Sequence, residues 1–211
     1  MSSVLLVAAT HAEIAPALTE LKGKVEVLIT GVGLTHTTLT LTRRLATPPL
    51  PRVLIQAGLG GAVDPELRLG EVVQVVSERI TDLGAATAEG DFLPLSTLEL
   101  PLDDYDEILP LANEDYGLPQ VHGGSVNRVN GSAAGIARMR RLFPDVQVES
   151  MEGYALALAC RQFGVKGIQL RGISNYVEPR NRAAWRIGPA IQSLNEEVLR
   201  LVRYFLEARN S

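Results

Sequence analysis

The sequence predicts an α/β protein, a single domain over residues 1–211 in which a mixed, largely parallel central sheet is flanked by helices. Three observations carry this prediction. Short runs that are apolar throughout alternate with segments of helical periodicity, which is the pattern of strands covered on both faces. Glycines cluster where these runs end, at Gly31-Val32-Gly33 and Gly58-Leu59-Gly60-Gly61. The chain has 211 residues, 46% of them hydrophobic and 21% charged, which suits one sizeable core and excludes a disordered chain.

In order along the chain, Val4–Ala9 reads as a buried strand and Ile14–Leu21 as the helix after it. Val25–Thr30 is a second strand and Thr35–Leu45 a second helix. Val53–Ala57 is a third strand, ending at the Gly58–Gly61 cluster, and Val72–Ser77 a fourth. From Glu78 to Gln120 the chain is acidic and Pro-rich, as in Leu102-Asp103-Asp104-Tyr105-Asp106, and its periodicity is poor. This stretch reads as an irregular excursion suited to a lid or a subunit contact. Order resumes with a helix over Ser132–Phe143, stopped by Pro144, then a short strand at Val146–Val148. An apolar helix over Glu152–Phe163 is ended by Gly164, and Lys166–Ile173 is a strand. The last helix, about Pro189–Ala208, places Leu194, Val198, Leu201, Val202 and Phe205 on one face.

Composition narrows function. Lys and Arg total 20 against 24 Asp and Glu, a net charge of −4, so the basic face of a nucleic-acid binder is not expected. Cys160 is the only cysteine, and His11, His36 and His122 lack the spacing of a metal motif. The first apolar run is too short for a signal peptide or a membrane span. The expectation is a cytoplasmic protein with neither nucleic acid nor membrane as partner.

The polar residues at strand ends are the informative ones. Gly31-Val32-Gly33 lacks the third glycine of a dinucleotide fingerprint, His36 standing in its place, and reads as a tight turn. Gly58-Leu59-Gly60-Gly61 lets backbone approach a ligand closely or simply makes a turn. In Glu149-Ser150-Met151-Glu152-Gly153 two carboxylates lie where a strand meets a helix, suited to a site or to helix capping. Arg171-Gly172-Ile173-Ser174-Asn175 puts an arginine inside an apolar strand. There it needs a carboxylate, in a structural pair or in a site. Glu13 follows the first strand and is open to the same two readings. Several such groups at the ends of separate buried strands point to one site.

Taken together, these segments resemble the nucleoside phosphorylase and nucleosidase superfamily over nearly the whole chain. The resembling features are the strand followed by Glu13, Gly31-Val32-Gly33, Ala57–Ala62 with Leu69-Gly70-Glu71-Val72-Val73, Asn130-Gly131-Ser132, Val148–Gly153 and Arg171–Asn175. Within the superfamily, Ile173-Ser174-Asn175-Tyr176-Val177 followed by Arg180, Arg182, Ala183, Ala184 and Trp185 is most similar to the futalosine hydrolase family. That similarity implies release of hypoxanthine from futalosine on the alternative menaquinone route, by a homo-oligomer (dimer or larger) that needs no metal or organic cofactor. The alternatives are a methylthioadenosine/S-adenosylhomocysteine nucleosidase, a purine nucleoside phosphorylase, and a non-catalytic nucleotide-sensing module. Adenosine-type nucleosidases have aspartate where Asn175 stands. Phosphorylases hold phosphate with an arginine just after the first strand, whereas Thr10–Ala17 has none and offers Glu13.

The resemblance implies roles. Glu13 would activate water, and Glu152 would accept the ribose hydroxyls with Met151 packing on the sugar. Asn175 would bond a departing 6-oxopurine. Arg171 and Ser174 would orient the water or neighbouring carboxylates, and Gly60 and Gly61 would let the sugar approach. Ser150 displaces Glu149 by one position from the family pattern, so Glu149 receives no role. Arg128, with its neighbour Val129, Arg180 and Arg182 are candidates for contacting the far end of the substrate.

Overall fold

A computed structural model describes residues 4–101 and 105–208, so Leu102, Asp103 and Asp104 of the acidic run lie outside the described residues. The elements are β1 (Val4–Ala8), α1 (His11–Leu21), β2 (Glu26–Ile29), α2 (Leu34–Leu45), β3 (Val53–Ala62), β4 (Val72–Ile80), β5 (Gly84–Ala86), β6 (Phe92–Pro94), β7 (Leu109–Pro110), β8 (Gln120–Ser125), α3 (Ala133–Leu142), β9 (Val148–Ser150), α4 (Gly153–Phe163), β10 (Lys166–Tyr176) and α5 (Ile187–Glu207). β1 is buried at every position, as a strand covered on both faces must be. Ser132 caps α3 by accepting the Gly135 N–H, and Gly164 ends α4 in the left-handed region at φ 63°. One core joins α1 and α5 to one face of the sheet through Ile14, Ala17, Leu194, Val198 and Val202. A second joins α2 and α4 to the other through Leu41, Leu45, Leu156 and Cys160.

β3 organises the sheet. It runs parallel to β1 over Val53–Gln56 and parallel to β10 along its whole length. On the side away from β10, its last two residues pair antiparallel with β9, Gly61 opposite Glu149. From β9 the ladder passes to β8, β4 and back to β10, closing a five-stranded ring, while β1 and β2 extend as an open wing. The sheet is mixed: β10–β4, β3–β9 and β4–β7 are antiparallel and the remaining pairings parallel.

Several boundaries differ from the sequence reading: α1 begins three residues earlier, at His11, and β4 runs on to Ile80, taking Glu78 out of the expected excursion. The third strand continues through Gly58–Gly61 rather than turning there. A Cβ at Gly58 would strike the Arg171 guanidinium, and one at Gly60 would lie 2.8 Å from Val148 Cγ1. These glycines therefore serve close approach within the sheet. β10 likewise runs on through Ser174 and Asn175, with a register irregularity between Ile173 and Asn175. β9 begins two residues later than expected, because Val146 packs with Ile136, Met139 and Phe143 in a side cluster. The excursion contains short strands, and at its end Gln120 opens β8, which its composition hid: Gly123 and Gly124 stand in the strand where Glu78, Thr81 and Val146 leave no room for a Cβ.

Candidate active site

On the outer edge of β3, β1 stops opposite Gln56 and β9 starts opposite Gly61. Ala57–Gly60 have no strand partner on that side, and a cavity of about 490 Å³ opens at this split. In an open α/β sheet, such a change of neighbour near strand C-terminal ends is where ligands bind. The lining includes Glu13, Gly60, Gly61, Val129, Met151, Glu152, Ser174 and Asn175, all singled out from sequence. Arg171 lies directly beneath, 1% exposed, and does not line the cavity. Arg128 also falls outside. Its backbone N–H, with that of Asn127, is tied to Asp82 Oδ2, and the residue lines a separate small pocket beside Arg138. Sequence proximity to Val129 and Asn130 did not carry its side chain into the cavity.

The carboxylates are held in distinct ways. Glu13, in the first turn of α1, accepts the Thr10 N–H at 2.9 Å and the Thr10 hydroxyl at 3.0 Å on Oε2. Its Oε1 accepts the Leu59 N–H at 3.2 Å, satisfying a donor that the split in the sheet leaves bare. Three of about four lone-pair sites are filled, and the remaining one is on Oε1. Glu152, just before α4, accepts the Gly33 N–H at 3.0 Å on Oε1 and faces Arg171 Nη1 at 3.5 Å from Oε2. Each oxygen keeps one free acceptor site. Arg171 also donates to Gln56 Oε1 at 3.0 Å and reaches the Leu59 carbonyl at 3.4 Å. The arginine that sequence left open between a structural pair and a site is therefore a buried partner of a cavity carboxylate.

Glu149 lines the cavity too, and its carboxylate accepts the backbone and side-chain N–H groups of Asn130. Burial is the largest influence on it and pushes its pKa above the ordinary carboxylate value, with the Asn130 bonds pulling back. Ser174 donates to Asn175 Oδ1 at 2.8 Å, and Asn175 Nδ2 donates to the Tyr176 carbonyl at 3.0 Å. At the outer end, Arg180 and Trp185 line the cavity, with the Arg180 guanidinium 5.5 Å from the Trp185 ring centroid. Arg182 also lies over Trp185 but is not in the lining. Sequence reasoning missed Glu178, Trp185, Ile187 and Ile191 as lining residues; Glu178 and Trp185 follow β10 in a segment without regular periodicity, and Ile187 and Ile191 lie in the first turns of α5.

No helix among the described residues is long and apolar enough to cross a membrane. In sequence, the chain is 37% identical to a futalosine hydrolase of Streptomyces coelicolor over 152 residues, 71% of this chain and 64% of that one. It is 33% identical to a futalosine hydrolase of Thermus thermophilus, covering 83% of this chain and 80% of the relative. The structure superposes on the native futalosine hydrolase of Helicobacter pylori with a TM-score of 0.78 at 16% identity, covering 95% of this chain and 97% of that one, a likeness of fold. The family model of the phosphorylase superfamily matches residues 7–207, so the chain belongs to that superfamily.

Proposed function

We propose that this protein hydrolyses the N-ribosidic bond of futalosine, releasing hypoxanthine and dehypoxanthine futalosine. The observation that carries the hydrolytic reading is the arrangement of free acceptor sites on one cavity wall, one on Glu13 and two on Glu152. Breaking the bond builds positive charge on the sugar and negative charge on the purine. Glu152 matches the two ribose hydroxyls with its two free sites, beside Met151. Glu13 takes a proton from the attacking water with its one. Among the described lining residues the carboxylates Glu13, Glu149, Glu152 and Glu178 face a single cation, Arg180, at the outer end. That balance repels a phosphate nucleophile and admits water. Asn175 donates to the 6-oxo group and accepts from a protonated ring nitrogen, once its amide leaves the Tyr176 carbonyl. The choice of futalosine rests on the relatives in Streptomyces and Thermus. Residues 1–211 act in this reading as one domain, working in the cytoplasm as a dimer or larger assembly, with exposed Val32 and Val129 on the cavity rim available to a second copy.

Incubation with futalosine in phosphate-free buffer should release hypoxanthine, and added phosphate should yield no sugar 1-phosphate. Strict dependence on phosphate would overturn the hydrolytic reading.

Futalosine carries a carboxyphenyl ketone beyond its ribose, and Arg180 is the cation placed to meet that carboxylate. The guanidinium has no carboxylate partner among the described residues. Arg180→Ala should raise KM for futalosine by about tenfold, the scale of one charge-assisted hydrogen bond, and leave kcat nearly unchanged. The Arg128→Ala protein should match wild type. Equal KM values for Arg180→Ala and wild type would remove Arg180 from substrate binding.

A further inference from the structure

Behind the ribose wall lies a third carboxylate that the proposed chemistry does not use. Glu78, near the end of the apolar run of β4, is 1% exposed. One of its oxygens accepts the Gln169 Nε2–H at 2.8 Å and the other accepts the Ser125 hydroxyl at 2.9 Å. Two glycines on different elements make room for it, since a Cβ at Gly123 in β8 or at Gly153 in α4 would strike Glu78 Oε1. Gly153 directly follows Glu152. Ser125, while donating to Glu78, accepts the Tyr154 N–H in the first turn of α4 at 2.8 Å. Glu78 thus touches the start of α4 twice, once through Ser125 and once against Gly153.

The charged groups facing Glu78 are Arg171 from β10 and Glu152 ahead of α4. β8 presents Ser125 and Gly123, and β7 pairs with Glu78 through the backbone of Leu109. Tyr154 of α4 turns its hydroxyl away to the Asp106 carbonyl.

We infer that Glu78 is a positioning residue for Glu152, fixing the first turn of α4 and the Arg171 guanidinium in register with the ribose. The inference rests on the reading of Glu152 as the ribose acceptor. An ionised Glu78 accepts from both Gln169 Nε2 and the Ser125 hydroxyl at these distances. A protonated carboxyl would have to donate, Gln169 Nε2 cannot accept, and the Ser125 hydroxyl would have to turn away to receive it. The ionised form keeps the network intact and adds negative charge beneath the sugar that becomes cationic. Burial pushes the Glu78 carboxyl up to about 7, with Gln169, Arg171 and Ser125 pulling the other way. Activity should therefore rise with pH through the neutral range. Stability should move oppositely. A carboxyl whose folded pKa lies above its unfolded value contributes stability that is fully present below the unfolded value and is lost as pH rises through about 7.

The test measures kcat/KM for futalosine and the thermal midpoint between about pH 5.5 and about pH 8.5. The proteins are wild type, Glu78→Gln, Ser125→Ala and Glu152→Gln. Glu78→Gln should lower kcat/KM by roughly tenfold near pH 8, flatten the neutral limb of the profile, and unfold at a higher temperature than wild type there. A wild-type rate with an unchanged profile overturns the inference. So does a parallel loss of rate and stability with the limb retained, since that is the behaviour of a purely structural residue. If Glu78→Gln does not fold, Ser125→Ala decides. It keeps the charge and cuts the link to Tyr154, so reduced kcat/KM supports the inference and an unaltered value overturns it. Wild-type activity in Glu152→Gln overturns the ribose assignment, and this inference with it. Failure of Glu78 alone leaves that assignment standing.

Discussion

Glu13→Gln should lower turnover by about 10²–10⁴, or about 3–5 kcal/mol of barrier, in a protein expected to remain folded. The change keeps the shape of the side chain and removes its capacity to take a proton. The hydrogen bonds of Glu13 set the size of the structural loss to be separated from the chemical one. One oxygen of Glu13 accepts both Thr10 donors, and the other accepts the Leu59 N–H. A glutamine can keep the Thr10 bonds with its carbonyl, but its amide then faces the Leu59 N–H donor to donor. Alternatively the amide turns toward Thr10, loses the bond from the Thr10 N–H and donates to the Thr10 hydroxyl instead. Either way one local bond set is disturbed, costing about 0.5–1.5 kcal/mol of stability per lost hydrogen bond. That is smaller than the expected barrier change, so thermal midpoint and turnover separate the two roles. A folded Glu13→Gln protein with near-wild-type turnover would return Glu13 to helix capping and to satisfying the bare edge of β3.

The strands and helices of the wing and the two helical layers were legible because their periodicity is set by burial on both faces. Glu13, Glu152 and Asn175 were legible for a related reason: a polar residue where an apolar run ends must face a ligand, a cap or a partner. The closed ring of strands hid more. Gln56, Glu78, Ser125, Gln169 and Arg171 are bonded to or face one another across it, and although β3, β4 and β10 read as apolar runs, nothing in those runs announced the polar network between them. β8 was invisible for this reason, since its glycines answer to the Glu78, Thr81 and Val146 side chains. The Gly58–Gly61 cluster was visible but ambiguous, because close approach and a turn both ask for glycine. Only the pairing of Gly58 with Arg171 across β3 and β10 separates them. Arg128 misled because adjacency in sequence says nothing of which side of a loop a side chain takes.

Arg171→Met should be the most destabilising of the substitutions considered, because the arginine is the cation among buried acceptors. Its guanidinium faces Glu152 at 3.5 Å and Gln56 at 3.0 Å, and its charge also acts on Glu78. Methionine fills much of the volume but leaves two carboxylates, 1% and 5% exposed, without a positive neighbour on that side. Removing one partner of a buried pair costs about 3–5 kcal/mol, because the remaining charge stays desolvated. For a chain of this size that is roughly 6–20 °C in thermal midpoint. The loss should shrink as pH falls from 8 toward about 6. Arg171 holds Glu78 down, so without it Glu78 takes a proton more readily and one buried charge disappears. The same logic fixes a double-mutant cycle. Adding Glu78→Gln to Arg171→Met removes one of the stranded charges in advance, so the pair should be destabilised by less than the sum of the singles, with a coupling of about 0.5–3 kcal/mol. Activity should not recover in the double mutant, because Glu152 still lacks the group that faces its Oε2. Additive stabilities in that cycle would mean that Arg171 and Glu78 do not share one electrostatic environment, and the buried network would then reduce to the Arg171–Glu152 pair alone.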